Sequence, residues 1–217
     1  MSYFSQFNTL SAEKAKSVFS YDTIQRTGKY IGQFTQAVCF EAPSGAKGIE
    51  FEFISDSGEH ANFSLYTCSK DGKDIFSANQ VHAIMVCLRL RGAGVGMQKA
   101  NVWDNNERKR VEKLVPQLTG MLNKPIGILL EKEEYFDGNG NPRYRMNFKH
   151  AFEAATELMA DEVLAQKEAP ERLPREVSKL KDQLAKPPVS APPFYAPNTP
   201  KPPAAAPVPA FDDDIPF

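Results

Sequence analysis

Cysteine, histidine and tryptophan are scarce in this chain, and each scarcity closes a route. The three cysteines, Cys39, Cys68 and Cys87, are odd in number and form no Cys-x-x-Cys pair. Neither a disulfide framework nor a zinc centre is expected from them; they read as buried thiols in a reducing cytoplasm. His60, His82 and His150 stand far apart, with no Ser-His-Asp order and no second metal ligand beside any of them. Glu131, Glu133 and Glu134 sit close along one segment without a partner set for acid–base work. The chain is therefore expected to be non-catalytic, with no metal and no cofactor. Gly92-x-Gly-x-Gly96 is not followed by Gly-Lys-Ser/Thr, which excludes a phosphate-cradling loop. No run approaches the roughly 18 apolar residues that span a bilayer. The start lacks a basic region followed by a long apolar run, so no secretory signal is expected and a cytoplasmic location is.

Net charge is also nearly absent, at −1, but it is unevenly spread. Residues 1–150 hold 19 Lys/Arg and 16 Asp/Glu, a balance of +3; residues 151–186 hold 6 and 8, and residues 187–217 hold 1 and 3, each a balance of −2. A mildly basic body with an acidic end suits a polyanion-binding body and a tail that does not share in the binding.

What is present is β patterning. Residues 1–27 form a mixed arm in which Ser11 begins a short helical stretch. From Gly28 to Glu41 the chain is rich in aromatic and β-branched residues, with Tyr30, Phe34, Val38 and Phe40 on one parity and Gly32 marking a bulge or bend. Ile49–Ser55 alternates with Ile49, Phe51 and Phe53 inward. Asn62–Cys68 alternates with Phe63, Leu65 and Thr67 inward and Tyr66 outward. The period then changes: Ser77 is placed to cap a helix carrying Val81, Ile84, Met85 and Leu88, ending at Arg89-Leu-Arg-Gly92. Residues 92–110 read as a long flexible loop bearing the single tryptophan, Trp103, and the cations Arg108, Lys109 and Arg110. A short helix or turn follows over Leu114–Leu122. Pro125–Phe136 is a fourth strand, Asp137-Gly-Asn-Gly-Asn141 a hairpin turn, and Arg143–Lys149 a fifth strand with Tyr144, Met146 and Phe148 on one face. Its other face presents Arg143, Arg145, Asn147 and Lys149, a pattern suited to following phosphates.

The expected fold is thus mainly β, in the order β-β-β-α-β-β. That order fits a five-stranded OB-fold barrel over residues 28–150, with a helical insertion between strands three and four. An SH3-like barrel and an α+β sandwich are the alternatives, and neither accounts for the helix position as well. Residues 151–186 read as a helical extension. Residues 187–210 are a Pro/Ala-rich linker, since residues 187–217 hold 11 of the 17 prolines and cannot bury enough to fold. Disorder is expected there.

The last seven residues are Phe211, Asp212, Asp213, Asp214, Ile215, Pro216 and Phe217. Three carboxylates precede an apolar plug, which suits a partner pocket that takes Phe217 with basic residues around it. Asp-Asp-Asp-Ile-Pro-Phe resembles the C-terminal tail of bacterial single-stranded DNA-binding proteins. In order and length, the body resembles the OB-fold single-stranded DNA-binding proteins of tailed bacteriophages. These resemblances imply single-stranded DNA binding and protection in replication, recombination or repair, with replication and recombination proteins recruited through the tail. For a phage protein the location is the host cytoplasm. An RNA-binding or protein-adaptor module without catalytic activity is the alternative.

For such a protein, aromatics stack on bases and cations follow phosphates. Outward parity selects Tyr66 and loop position selects Trp103 as stackers. The candidate phosphate contacts are Arg89, Arg91, Lys99, Arg108, Lys109, Arg110, Arg143, Arg145 and Lys149. The acidic tail is further expected to occupy the Arg143–Arg145–Lys149 strip when DNA is absent. No membrane partner is expected.

Overall fold

A computed structural model describes residues 22–104 and 107–185, all within a unit of Met1–Lys186; Pro187–Phe217 forms a second unit. The N-terminal helical stretch, the linker and the tail Phe211–Phe217 therefore lie outside the described residues. The elements are β1 (Gly28–Glu41), β2 (Lys47–Ser55), β3 (His60–Cys68), α1 (Phe76–Cys87), β4 (Val95–Asp104), β5 (Lys109–Leu118), a 3₁₀ turn (Thr119–Met121), β6 (Pro125–Phe136), β7 (Pro142–Phe152), α2 (Ala160–Leu164) and α3 (Arg172–Lys179).

The protein is mainly β; the described residues form a sheet of seven antiparallel strands rather than five, and the sheet does not close into a barrel. Its hydrogen-bonded order runs β3-β2-β1-β5-β4, with β6 joined to β1 and β7 joined to β6. The two added strands, β4 and β5, lie in the segment read from sequence as a flexible loop and a short helix; Pro116 sits within β5, opposite Met97.

β1 serves two halves of the sheet. Residues 28–33 pair with β6, and residues 32–41 pair with β2. The two halves part at Gly32, where an added Cβ would lie 2.0 Å from the Ile54 carbonyl oxygen. Gly32 thus serves close approach; the register shift itself falls between Phe34 and Gln36. That bulge reverses the parity of the strand. Phe34 and Ala37 face the core, while Gln36, Val38 and Phe40 turn to the opposite face. The single-parity reading of Phe34, Val38 and Phe40 is corrected accordingly.

The core is a run of aromatic rings. Phe51 lies 4.8 Å from Phe34 and 5.4 Å from Phe63, and Phe63 stacks on Phe148 of β7 at 5.1 Å. Edges β3 and β7 therefore meet through side chains, not through a hydrogen-bonded ladder. α1 closes one end of this core with Val81, Ile84 and Cys87. Burial pushes the Cys87 thiol up to about 12, so it is a packing group at neutral pH. Helix α1 begins one residue before Ser77, with Ile75 at the N-cap, so Ser77 is not the cap. It ends in a Schellman motif: Leu90 N–H donates to Met85 O at 2.9 Å and Arg89 N–H to Val86 O at 3.0 Å. The left-handed residue this motif needs is Arg89 (φ 54°), upstream of the expected glycine.

Residues 151–186 are less helical than expected. Ala151 and Phe152 complete β7, and the chain from Leu180 onward runs extended along β6, where Gln183 N–H donates to Lys132 O at 2.9 Å. Between them, Met159 and Leu173 cover Leu129 and Phe152 in a second apolar cluster. A bulge opposite Leu129 and Leu130, with Lys149 as the extra residue of β7, changes that strand's parity, so that Phe148 and Ala151 face the main core while Phe152 faces the second cluster. The same bulge leaves Lys149 unpaired on β7, displaced toward α1.

Candidate nucleic-acid interface

A groove of about 600 Å³ runs between edges β3 and β7. Its β3 bank presents Asn62, Ser64 and Tyr66, its β7 bank Arg145, Asn147 and Lys149, and Ser77 and Gln80 of α1 close one end. The stacked rings of Phe63 and Phe148 form the apolar floor. Three of the residues singled out from sequence thus converge: Tyr66, Arg145 and Lys149.

Tyr66 is well exposed and meets Phe40 edge-on, with ring centroids 5.3 Å apart. The pair depends on Gly48, which lies between them in the sheet register. A Cβ there would come within 2.8 Å of the Phe40 ring. Phe40 is a member of this surface that sequence parity concealed, because the bulge that turns it outward has no signature in residue type.

The cations of the β7 strip are each matched by a carboxylate. Arg145 donates to Glu133 through Nε at 2.9 Å and Nη2 at 2.8 Å, and Arg143 reaches Asp137 at 3.3 Å. Lys149 pairs with the buried Glu131 at 3.1 Å. Hydrogen bonds from Arg145 and then Asn147 hold the Glu133 carboxyl below its usual range. Burial opposes ionisation of Glu131, but hydrogen bonds from Lys149 and Gln183 outweigh it and lower its pKa. The strip is electrically balanced rather than a bare basic track.

A second group of candidates rides on the β4–β5 hairpin. Trp103 is 56% exposed and lies opposite Arg110 in the ladder. Lys99 pairs with Glu112, Lys109 with Glu107, and Arg110 with Glu50 of β2 at 3.1 Å. Arg108 stands at the tip with φ 48° and no carboxylate within ion-pair distance among the described residues. The hairpin is laid over the outer face of β1 and β2. Asn101 N–H donates to the Gln36 side chain at 3.0 Å, and Gln117 accepts from Ala37 N–H at 3.1 Å. Val38 is buried beneath it, and Asn62 lines both this contact and the groove. The hairpin therefore borders the groove.

The remaining candidates lie elsewhere. Arg89 and Arg91 stand at the C-terminal end of α1. Arg89 is committed to Glu153 by two hydrogen bonds, at 2.7 and 3.0 Å. Among the described residues no group of His, Cys, Asp and Glu is placed to hold a metal ion. No helix of the described residues is long and apolar enough to cross a membrane. Compared with known proteins, the chain matches no family model and no curated sequence.

Proposed function

We propose that this protein binds single-stranded DNA without catalysis, protecting it in replication, recombination or repair, and recruits partner proteins through Phe211–Phe217. The reading takes β1, β2, β3, β6 and β7 as an opened OB-fold barrel with the β4–β5 hairpin as an insertion. It is supported by the sharing of β1 between β2 and β6 and by the facing edges of β3 and β7. The observation that carries the function is the groove, where Tyr66, Arg145 and Lys149 share one trough with hydrogen-bonding side chains along both banks. An aromatic face with amide and hydroxyl groups suits a flexible strand of bases, and Arg145 and Lys149 meet its phosphates by exchange with their carboxylate partners.

Trp103 is the single tryptophan, so its fluorescence reports on the hairpin directly. Titration with oligo-dT at two salt concentrations should quench or shift this emission and give a measurable affinity. Tyr66→Ala should weaken binding by about 1–3 kcal/mol, the worth of one stacked base, and Trp103→Ala by a similar amount. Unchanged affinity in both variants, with the fold intact, refutes the binding face. Tighter binding of RNA than of DNA of the same sequence would favour the RNA-binding alternative.

A further inference from the structure

Beside the groove, next to α1, lies a second cleft of about 240 Å³. Gln80, Phe148 and Lys149 line both spaces, so the two adjoin at the bulged Lys149. The cleft differs from the groove in character. Its apolar lining is the small or apolar side chains of Ala83, Ala151, Met159 and Ala160, and its polar lining is Gln80, Lys149, His150, Asp161 and Arg172. Its volume falls below the roughly 300–1,000 Å³ typical of pockets for drug-sized ligands. Small apolar side chains with polar groups among them suit one flat ring system.

Two of the polar lining groups, Asp161 and Arg172, are fixed in place. The buried Glu162 carboxylate accepts from the backbone N–H groups of Met159 at 3.0 Å, Glu171 at 2.8 Å and Arg172 at 2.9 Å. These bonds tie the start of α2 to the start of α3, which is what holds Asp161 beside Arg172. Arg172 Nη1 donates to Asp161 at 2.7 Å, and its remaining guanidinium donors have no partner among the described residues. Gln80 donates to Lys149 O at 3.2 Å, leaving its side-chain carbonyl oxygen as an acceptor.

We propose that this cleft receives a single base of the bound strand and selects guanine; the proposal rests on the single-stranded DNA reading above. A guanidinium fork matches the O6 and N7 acceptors of guanine. The Asp161 carboxylate and the Gln80 carbonyl match its N1–H and exocyclic amine donors. Adenine presents an amine where guanine presents O6, which sets donor against donor at Arg172. Thymine and cytosine lack N7, the second acceptor that the guanidinium fork engages on guanine. A strand lying in the groove is otherwise held by contacts indifferent to sequence, and turning one base out of it into a side pocket is a known way for proteins to read base edges.

The test measures anisotropy of labelled oligo-dT and of the same oligonucleotide with one internal thymine replaced by guanine, adenine or cytosine, using the full-length chain. The guanine-bearing strand should bind about tenfold more tightly than oligo-dT, sliding to place that base in the cleft. Ala83→Leu fills the cleft on a helix that accepts leucine well; it should abolish the preference while holding oligo-dT affinity within about twofold. Arg172→Lys, which keeps the charge and loses the fork, should do the same. Equal affinity for all four oligonucleotides, or a guanine preference that survives both substitutions, overturns the cleft's role and leaves the groove reading standing. Failure to bind oligo-dT overturns the groove reading and the proposal with it.

Discussion

The ion pairing of the β7 strip makes a quantitative demand on any nucleic acid that uses it. To engage Arg145, a phosphate must compete with Glu133, which already takes two of its donors at 2.8 and 2.9 Å. Glu133→Gln removes that competition while preserving shape and a hydrogen-bonding carbonyl. Each phosphate contact on single-stranded DNA contributes about 0.7 to the slope of log affinity against log salt. The variant should therefore bind oligo-dT with a slope steeper by roughly 0.7, and between 50 and 200 mM salt its advantage over wild type should shrink by about 2.6-fold. The fold should lose little: the Glu133 side chain is 23% exposed and also accepts from Asn147, but glutamine keeps an accepting oxygen, and surface ion pairs are worth about 0–1 kcal/mol. Salt titrations of affinity, with thermal melts as the folding control, read both quantities.

Loss of one negative charge anywhere raises affinity a little, so two controls isolate the contact. Glu157→Gln removes a carboxylate that pairs with Lys29, whose ammonium sits over Phe152 in the second apolar cluster, and should leave the slope unchanged. The double variant Glu133→Gln, Arg145→Ala should lose the added slope. If the slope does not steepen in Glu133→Gln, or stays steep when Arg145 is gone, the strip is not a phosphate track.

Two further outcomes are expected. Deleting residues 211–217 should preserve or tighten oligo-dT binding while abolishing capture of replication and recombination proteins in a pull-down; collapse of DNA binding instead would mean that the tail is misread. His150 should make stability fall on mild acidification: burial foremost lowers its pKa from 6.5, Lys149, Arg172 and Lys179 add to this, and Glu176 at 3.6 Å opposes it. The unfolded chain then takes up the proton first, so stability drops as pH falls from about 6.5 toward the folded value and is flat above it, and urea melts of His150→Asn should lose that part of the pH dependence.

Much of the sheet was legible because its inner face is so apolar. Gly28–Glu41 and Pro125–Phe136 end where residue type and turn chemistry placed them, and Ile49, Phe51, Phe53 and Phe63 are buried as their alternation required. The β4–β5 hairpin escaped for a physical reason. One of its faces mixes Ala100 and Val102 with Asp104, Lys113 and Gln117, while the other exposes Val95, Met97, Trp103 and Leu114 beside Lys99, Arg110 and Glu112. Neither face is consistently apolar and buried, so no period-2 contrast survives in the sequence, and Pro116 argued further against a strand. The bulge at Phe34–Gln36 hid Phe40 in another way, since a one-residue slip exchanges the faces of everything after it. At the cleft, Asp161 and Arg172 are 11 positions apart and are brought together only by the buried Glu162, whose burial no local pattern announced.

The position of the hairpin bears directly on where a strand could lie. The outer faces of β2 and β3 carry Glu50, Glu52 and Asn62, and an uncovered carboxylate pair at the middle of a sheet repels a phosphate chain. β4 and β5 cover that region, Arg110 neutralises Glu50, and the void left between the layers is about 10 Å³, too small for a base. Under the proposed function, the strand is thus displaced sideways to the β3–β7 seam, where every nearby cation of β7 already has a carboxylate partner. Charge there is arranged for exchange rather than attraction. Affinity must then lean on Tyr66, Trp103 and hydrogen bonds more than on counterion release. The wild-type salt slope should accordingly be shallower than the number of cations along the seam implies, and releasing Arg145 from Glu133 is the smallest change that alters that balance.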